Sequence, residues 1–149
     1  MKISIVNSQN IVKLNSRQLK GAAFKTLSFI KKKNAELSIY IVDDCEIKYL
    51  NYRYRGVDRP TDVLAFSMTE GEELKGAEGI LGDVVISAQT ALRQARGNLK
   101  KTIDEINLYL VHGILHLIGY DDDSAKSRKK MEDMQNNILE RLNTKRGLK

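Results

Sequence analysis

Residues 112–122 of the chain read HGILHLIGYDD, and much of the architecture can be inferred from them. Two histidines lie four residues apart in an apolar run, so a helix would place both imidazoles on one face. The run extends back to Leu108, which predicts a buried central helix from about Thr102 to Ile118. Gly119 is suited to end this helix in a left-handed backbone conformation and to turn the following acids back towards the same point.

This arrangement predicts a metal centre. His112 and His116 are the only histidines in the chain, and burying two polar rings is costly unless their nitrogens find partners. One divalent ion would satisfy a nitrogen from each ring, whereas the alternative is two core histidines bonded to the backbone. Asp122 follows His116 by six residues, the offset of the third ligand in the long zincin signature, so it is the expected third ligand. Its neighbours Asp121 and Asp123 remain alternatives.

The residue after the first histidine bears on the reaction class. Metallopeptidases with a related motif carry a glutamate there as the general base. This chain has Gly113, which cannot accept or donate a proton, so we do not expect proteolysis by that mechanism. Three protein ligands would leave a fourth position open for water, as is typical of a catalytic rather than a structural zinc site.

Hydrophobic periodicity predicts four strands and five helices in mixed order, and therefore an α/β or α+β sandwich in one domain covering residues 1–149. The stretch 69–79, rich in glycine and glutamate, is expected to be an exposed loop, and Cys45 is expected to be a small buried residue. The predicted strands are 1–7, 36–42, 61–68 and 80–87, and the predicted helices are 16–33, 44–54, 87–96, 102–118 and 124–145.

Composition limits the class of protein. The 149 residues carry a net charge of +6, which is compatible with RNA as a partner but equally with a well-solvated surface. No apolar run approaches the roughly 20 residues of a membrane-spanning helix. With one cysteine and no recognisable signal peptide, we expect a cytoplasmic protein without membrane association.

Three motifs resemble those of the YbeY family, bacterial metal-dependent endoribonucleases of rRNA maturation. Residues 112–122 are similar to the family pattern H-G-x-L-H-L-x-G-Y-D-H. Residues 50–66 (LNYRYRGVDRPTDVLAF) resemble L-N-x-x-Y-R-x-x-D-x-P-T-D-V-L-S-F, and residues 81–86 (LGDVVI) form the third block. The resemblance implies a zincin-like α+β fold with a mixed four-stranded sheet flanked by helices. The metal site would then lie on the central buried helix and the loop after it.

The resemblance also implies functional residues and partners. The family's important arginine matches Arg55, which would clamp the scissile phosphate. The expected substrate is single-stranded RNA in rRNA maturation and ribosome quality control. The small ribosomal subunit and an Era-type GTPase are implied as partners.

The chain departs from the family pattern at one position, because Asp122 stands where a third histidine is usual. A site with two nitrogens and one oxygen still suits Zn²⁺, but it would discriminate less strongly against harder ions such as manganese. For Asp62 and Asp83 we expect hydrogen bonds at a turn or strand end, and for Tyr120 an apolar contact that closes the loop.

Three other functions remain open. The chain could be a different metal-dependent hydrolase on a zincin-like scaffold, such as a small-phosphodiester enzyme. It could be a non-catalytic ribosome-assembly factor whose metal ties two helices together. An iron oxygenase with two histidines and one carboxylate is a remote possibility.

Overall fold

The computed structural model describes residues 1–32, 34–68 and 79–147, with no side-chain detail for 144–147. Four strands and five helices alternate irregularly along this part of the chain. The strands are β1 (Lys2–Asn7), β2 (Glu36–Val42), β3 (Val63–Ser67) and β4 (Ile80–Ser87), and the helices are α1 (Ser16–Phe29), α2 (Asp44–Arg55), α3 (Ala88–Gln94), α4 (Leu99–Leu117) and α5 (Ala125–Gly147).

The strands form one mixed sheet in the order β1-β2-β4-β3. β1 and β4 run parallel to the central strand β2, whereas β3 lies antiparallel to β4 at one edge. The register of β4 against β2 shifts at Leu81, and Gly82 takes a φ of 141° there. A side chain at position 82 would collide with the carbonyl of Phe66, so this bulge requires glycine. The expected α+β fold with a mixed four-stranded sheet is confirmed.

The two faces of the sheet carry different helices. Along β2, Ile39 and Ile41 face the larger apolar core, which α1, α3 and α4 complete. The alternate residues Tyr40 and Val42 face a smaller core closed by Ile47 of α2. α5 packs on the outer side of α4 through Met131 and Ile138. The helix that carries both histidines therefore lies between the sheet and another helix.

Several helix boundaries differ from the sequence expectation. α1 ends at Phe29 rather than near residue 33, because Lys31 adopts a left-handed φ of 61°. The sequence has no glycine there to indicate such a turn. α4 begins at Leu99 rather than Thr102, because the side chain of Asn98 accepts a hydrogen bond from the Lys101 N–H and caps the helix. The first turn of α4 is charged, and an apolar pattern does not reveal it.

Two further expectations concern exposure. Cys45 is exposed on the first turn of α2, so the prediction of a buried cysteine was wrong. The predicted loop at 69–79 lies outside the described residues except for Gly79. Among the described residues, no helix is long and apolar enough to cross a membrane.

Candidate metal centre

The two histidines converge at the C-terminal end of α4. Both are half-buried, and their Nε2 atoms lie 3.1 Å apart. Two nitrogens bound about 2.05 Å from a tetrahedral zinc ion lie about 3.3 Å from each other. The separation in the structure is therefore close to the one that a shared ion requires.

A side chain of α5 fixes the orientation of the first imidazole. His112 Nδ1 lies 2.9 Å from Oε1 of Gln135. Because that oxygen can only accept, Nδ1 carries the proton and the lone pair of a neutral ring is on Nε2. Metal-binding histidines commonly donate their other ring N–H in this way. Sequence reasoning missed Gln135, although its place in the inward stripe with Met131 and Ile138 was a signal.

The surroundings of the second imidazole favour its neutral form. Burial lowers the pKa of His116 below its ordinary value, and the nearby His112 lowers it further. The Asp122 charge and a hydrogen bond with the Tyr120 backbone raise the pKa of His116, whereas the Arg55 charge lowers it. A neutral imidazole is the form that binds a metal. These interactions also place Asp122 and Arg55 within electrostatic reach of His116.

The loop after α4 is directed by a glycine turn. The N–H of Gly119 donates to the His116 carbonyl and that of Tyr120 to the Leu115 carbonyl, each at 3.1 Å, while Gly119 has a φ of 105°. This is the Schellman arrangement, and it matches the helix end expected from the sequence. Tyr120 packs, half-buried, against the cluster between α4 and α5. The turn brings the three consecutive aspartates to this end of α4.

The three aspartates are not equivalent. Oδ1 of Asp121 accepts a hydrogen bond from the Asp123 N–H at 3.1 Å, which occupies it within the loop. Asp122 is exposed, and its charge acts on His116. Across 1–32, 34–68 and 79–147, however, no three histidine, cysteine, aspartate or glutamate side chains come close enough to hold a metal. The structure thus brings the two imidazoles together but does not place a carboxylate with them.

Arg55 belongs to α2, on the opposite face of the sheet from α4. It is the last residue of α2, which ends where Gly56 takes a left-handed φ of 72°. Its side chain is exposed. α2 packs against β3 and β4, and the Arg55 charge is among the charges that lower the pKa of His116.

The other two aspartates of the motifs have local roles. Oδ1 of Asp62 accepts a hydrogen bond from the N–H of Val63 at 2.8 Å, where β3 begins. Asp83 is half-buried in β4, and burial raises the pKa of its carboxyl. The strand-end hydrogen bond of Asp62 is the one expected from the sequence.

Gly113 lies on the side of α4 that faces the sheet. A Cβ there would come within 2.7 Å of Val84 Cγ1 and 3.2 Å of Val63 Cγ2. The position next to His112 therefore points into the core rather than towards the imidazoles. A larger side chain, such as the general-base glutamate of metallopeptidases, would collide with Val84 and Val63 unless they moved.

Comparisons with known proteins give a consistent result. The family model described as endoribonuclease YbeY matches residues 2–143. A protein named endoribonuclease YbeY from Pelotomaculum thermopropionicum is 52% identical over 115 residues, 75% of each chain. The protein of that name from Aquifex aeolicus is 44% identical over 138 residues, 89% of this chain and 90% of its own. A solution structure from Thermotoga maritima matches with a TM-score of 0.62 at 29% identity, over 94% of this chain and 88% of that one.

Proposed function

The chain belongs to the YbeY family of endoribonucleases, and from this premise we propose that it cleaves single-stranded RNA at a divalent metal centre built on α4. The ligands of the ion are His112, His116 and Asp122, and the ion is Zn²⁺. The observation that carries the proposal is the convergence of the two Nε2 atoms at 3.1 Å, with the first ring oriented by Gln135.

Asp122 is the third ligand in this proposal because its neighbours are less suitable. The carboxylate of Asp121 is engaged with the Asp123 N–H, whereas Asp122 is exposed and its charge acts on His116. Exposure leaves the carboxylate room to rotate towards the two imidazoles. We expect Asp122→Asn to weaken zinc binding more than Asp121→Asn or Asp123→Asn, as measured by competition with a chromophoric chelator.

Each group has a distinct part in cleavage. The two imidazoles and the carboxylate would hold the ion. A divalent ion in that position supplies charge stabilisation at a phosphate oxygen and lowers the pKa of water. The Arg55 guanidinium binds a second phosphate oxygen and stabilises the negative charge that develops there. Its reach to the site is consistent with its effect on the pKa of His116.

The ends of the RNA products identify the nucleophile. Attack by the RNA 2′-hydroxyl leaves a 2′,3′-cyclic phosphate, whereas direct hydrolysis leaves none. Because no side chain among the described residues of the site stands out as a general base, the product ends are the most informative chemical readout.

One experiment tests the centre as a whole. Metal content and cleavage of an unstructured RNA are measured for the wild type, His116→Ala and Arg55→Ala, with Arg17→Ala as a control for loss of an exposed arginine on α1. We expect His116→Ala to lose both metal and cleavage, and Arg55→Ala to keep the metal while losing cleavage. Full cleavage by metal-free His116→Ala would contradict the proposal.

The family also suggests the setting of this activity. We propose that the substrate is rRNA in the cytoplasm and that the protein binds the small ribosomal subunit and an Era-type GTPase. The net charge of +6 is compatible with such a polyanionic partner. Co-sedimentation of the purified protein with small subunits, but not with large subunits, is the expected result.

A further inference from the structure

α2 carries an unusual set of exposed aromatic side chains. Tyr49, Tyr52 and Tyr54 are 60%, 59% and 63% exposed. Together they make up three of the four exposed aromatic residues in the described part of the chain, the fourth being Phe24 of α1. Aromatic rings left in water on one short helix are candidates for contact with another molecule.

Positive charge accompanies these rings. The segment 48–59 contains Lys48, Arg53, Arg55 and Arg59 but a single acid, Asp58. Lys48 Nζ lies 4.0 Å from an Asp58 carboxylate oxygen, and both side chains remain more than half exposed. Such a surface pair is weak, so the charge of Lys48 is still available to a phosphate.

Helix geometry arranges these side chains in a direction. One stripe of the helix contains Lys48, Tyr52 and Arg55, because they are spaced by four and three residues. Tyr49 comes three residues before Tyr52 and therefore lies beside it. The stripe is about 10 Å long and ends at Arg55, whose charge acts on His116. Tyr54 lies round the helix, with its ring 5.3 Å from that of Phe66 in an edge contact, so its contact is internal.

We propose that the α2 track, defined as Lys48, Tyr49, Tyr52 and Arg53, binds single-stranded RNA and leads it to the cleavage site. RNA bases stack on the two tyrosines, and phosphates contact the lysine and the arginine. Aromatic rings interleaved with basic side chains are the combination by which proteins hold single strands without reading sequence. Protein interfaces also use tyrosine and arginine, but four basic side chains against one acid in segment 48–59 favour a polyanion as the occupant.

The inference rests on the proposed function for the destination of the strand, but its test does not require cleavage. Binding of a fluorescent 20-nucleotide RNA is measured by polarisation in the His116→Ala background, so that the substrate stays intact. We expect Tyr49→Ala/Tyr52→Ala to weaken binding about 10- to 100-fold, and Tyr49→Phe/Tyr52→Phe to retain it.

Charge provides a second readout. For a single strand, the slope of log affinity against log salt has a magnitude of about 0.7 for each phosphate that the protein neutralises. Lys48→Gln/Arg53→Gln removes two of the neutralising charges and should therefore reduce the magnitude of the slope by about 1.4. The matched control is Phe24→Ala, an exposed ring on α1 that should change neither affinity nor slope.

The exposed cysteine offers a footprint of the same surface. Helical spacing puts the exposed Cys45 on the same face as Tyr49, four residues later, and Tyr52, seven residues later. RNA bound on the track would therefore cover the thiol. We expect the RNA to slow alkylation of Cys45 by N-ethylmaleimide in the His116→Ala background but not when both tyrosines are also alanine.

Affinity within twofold of the parent after removal of both rings would overturn the proposal. An equal loss in Phe24→Ala would also overturn it. If His116→Ala instead cleaves RNA, the metal proposal fails while the binding comparison still tests the track.

Discussion

At the scale of single residues, the hydrogen bond between Gln135 and His112 has a measurable consequence. It holds the ring in the tautomer whose Nε2 lone pair faces His116. Gln135→Leu should weaken zinc binding about 10- to 100-fold, the usual effect of removing such an orienting partner. Chelator competition gives the affinity. Gln135→Glu keeps a hydrogen-bond acceptor and should retain most of the zinc affinity. Asn136→Leu, on the exposed face of α5, is the control. Equal affinities for Gln135→Leu and Asn136→Leu would contradict the assigned role.

Gly113 leads to a prediction about stability rather than chemistry. Its absent Cβ would lie 2.7 Å from a methyl group of Val84, which is stiff because it is β-branched. Overpacking of this kind costs about 1–3 kcal/mol, and alanine regains about 1 kcal/mol of helix propensity. Gly113→Ala should therefore lower the free energy of unfolding by up to about 2 kcal/mol in urea titrations of the metal-free protein.

A second substitution, at the contacting residue Val84, tests why glycine is needed at position 113. Val84→Ala removes the methyl groups that the new Cβ would meet, so the double variant should be more stable than the sum of the single effects predicts. Strict additivity would show that the close approach of α4 to the sheet is not the reason for glycine.

Some residues of the site could be predicted from the sequence more directly than others, for a physical reason. His112 and His116 lie on one helix, and helical periodicity alone relates them. Arg55 depends on how α2 passes the edge of the sheet, which local pattern does not encode, and it was suggested by the family motif. Gln135 required knowledge of which face of α5 meets α4. The relation of Asp122 to the histidines depends on a loop conformation, and it stays a prediction.

At the scale of elements, a carboxylate at the start of α2 ties that helix to the end of β4 and to α3. Asp44 accepts hydrogen bonds from Ser87, Thr90 and Arg93, and its side chain is 17% exposed. Burial alone would raise the pKa of this carboxyl, but these hydrogen bonds outweigh burial and hold the pKa below its ordinary value of 3.8. Because the pKa is lower in the folded state, the stabilisation is present above pH 3.8 and disappears as the pH falls through the folded pKa.

This linkage predicts the behaviour of Asp44→Asn. At pH 7 the variant should lose about 1.5–3 kcal/mol of unfolding free energy, the range for hydrogen bonds to a charged group. The difference from wild type should narrow as the pH falls below 3.8 and then through the lower pKa of the native carboxylate, which becomes protonated there. Urea unfolding from about pH 2 to about pH 7 measures this difference. Asp58→Asn is the control, since its exposed pair with Lys48 should contribute less than about 1 kcal/mol. A difference independent of pH would argue against the charged network.

Element boundaries show what periodicity can and cannot supply. Met131 and Ile138 of α5 are seven residues apart, a spacing that puts them on one helix face, and both are buried. The end of α1 and the start of α4 were predicted less well because they are set by Lys31 and by the Asn98 cap. A left-handed turn at a residue other than glycine has no distinctive sequence signal, and a single asparagine before a charged first turn is a weak one, so such boundaries are hard to place from one sequence.

At the scale of the whole molecule, α4 is the common support of the fold and the site. It packs against α1, α3, α5, β3 and β4. The sheet order β1-β2-β4-β3 that positions this helix was not derivable from strand patterns, since each strand alternates in a similar way whichever neighbour it pairs with. The family resemblance supplied the mixed four-stranded sheet, and the order comes from the structure.

Because α4 lies at the centre, metal binding should stabilise the entire chain rather than a local loop. Unfolding would separate His112 and His116 from Asp122 and from the Gln135 contact on α5, and it would release the ion. A ligand at 100 times its dissociation constant adds about 2.7 kcal/mol, which for a chain of this size raises Tm by about 5–10 °C. We expect zinc to produce this shift in the wild type and in Arg17→Ala, EDTA to reverse it, and His116→Ala to lack it. Differential scanning calorimetry measures all three, and an equal shift in His116→Ala would place the stabilising ion elsewhere.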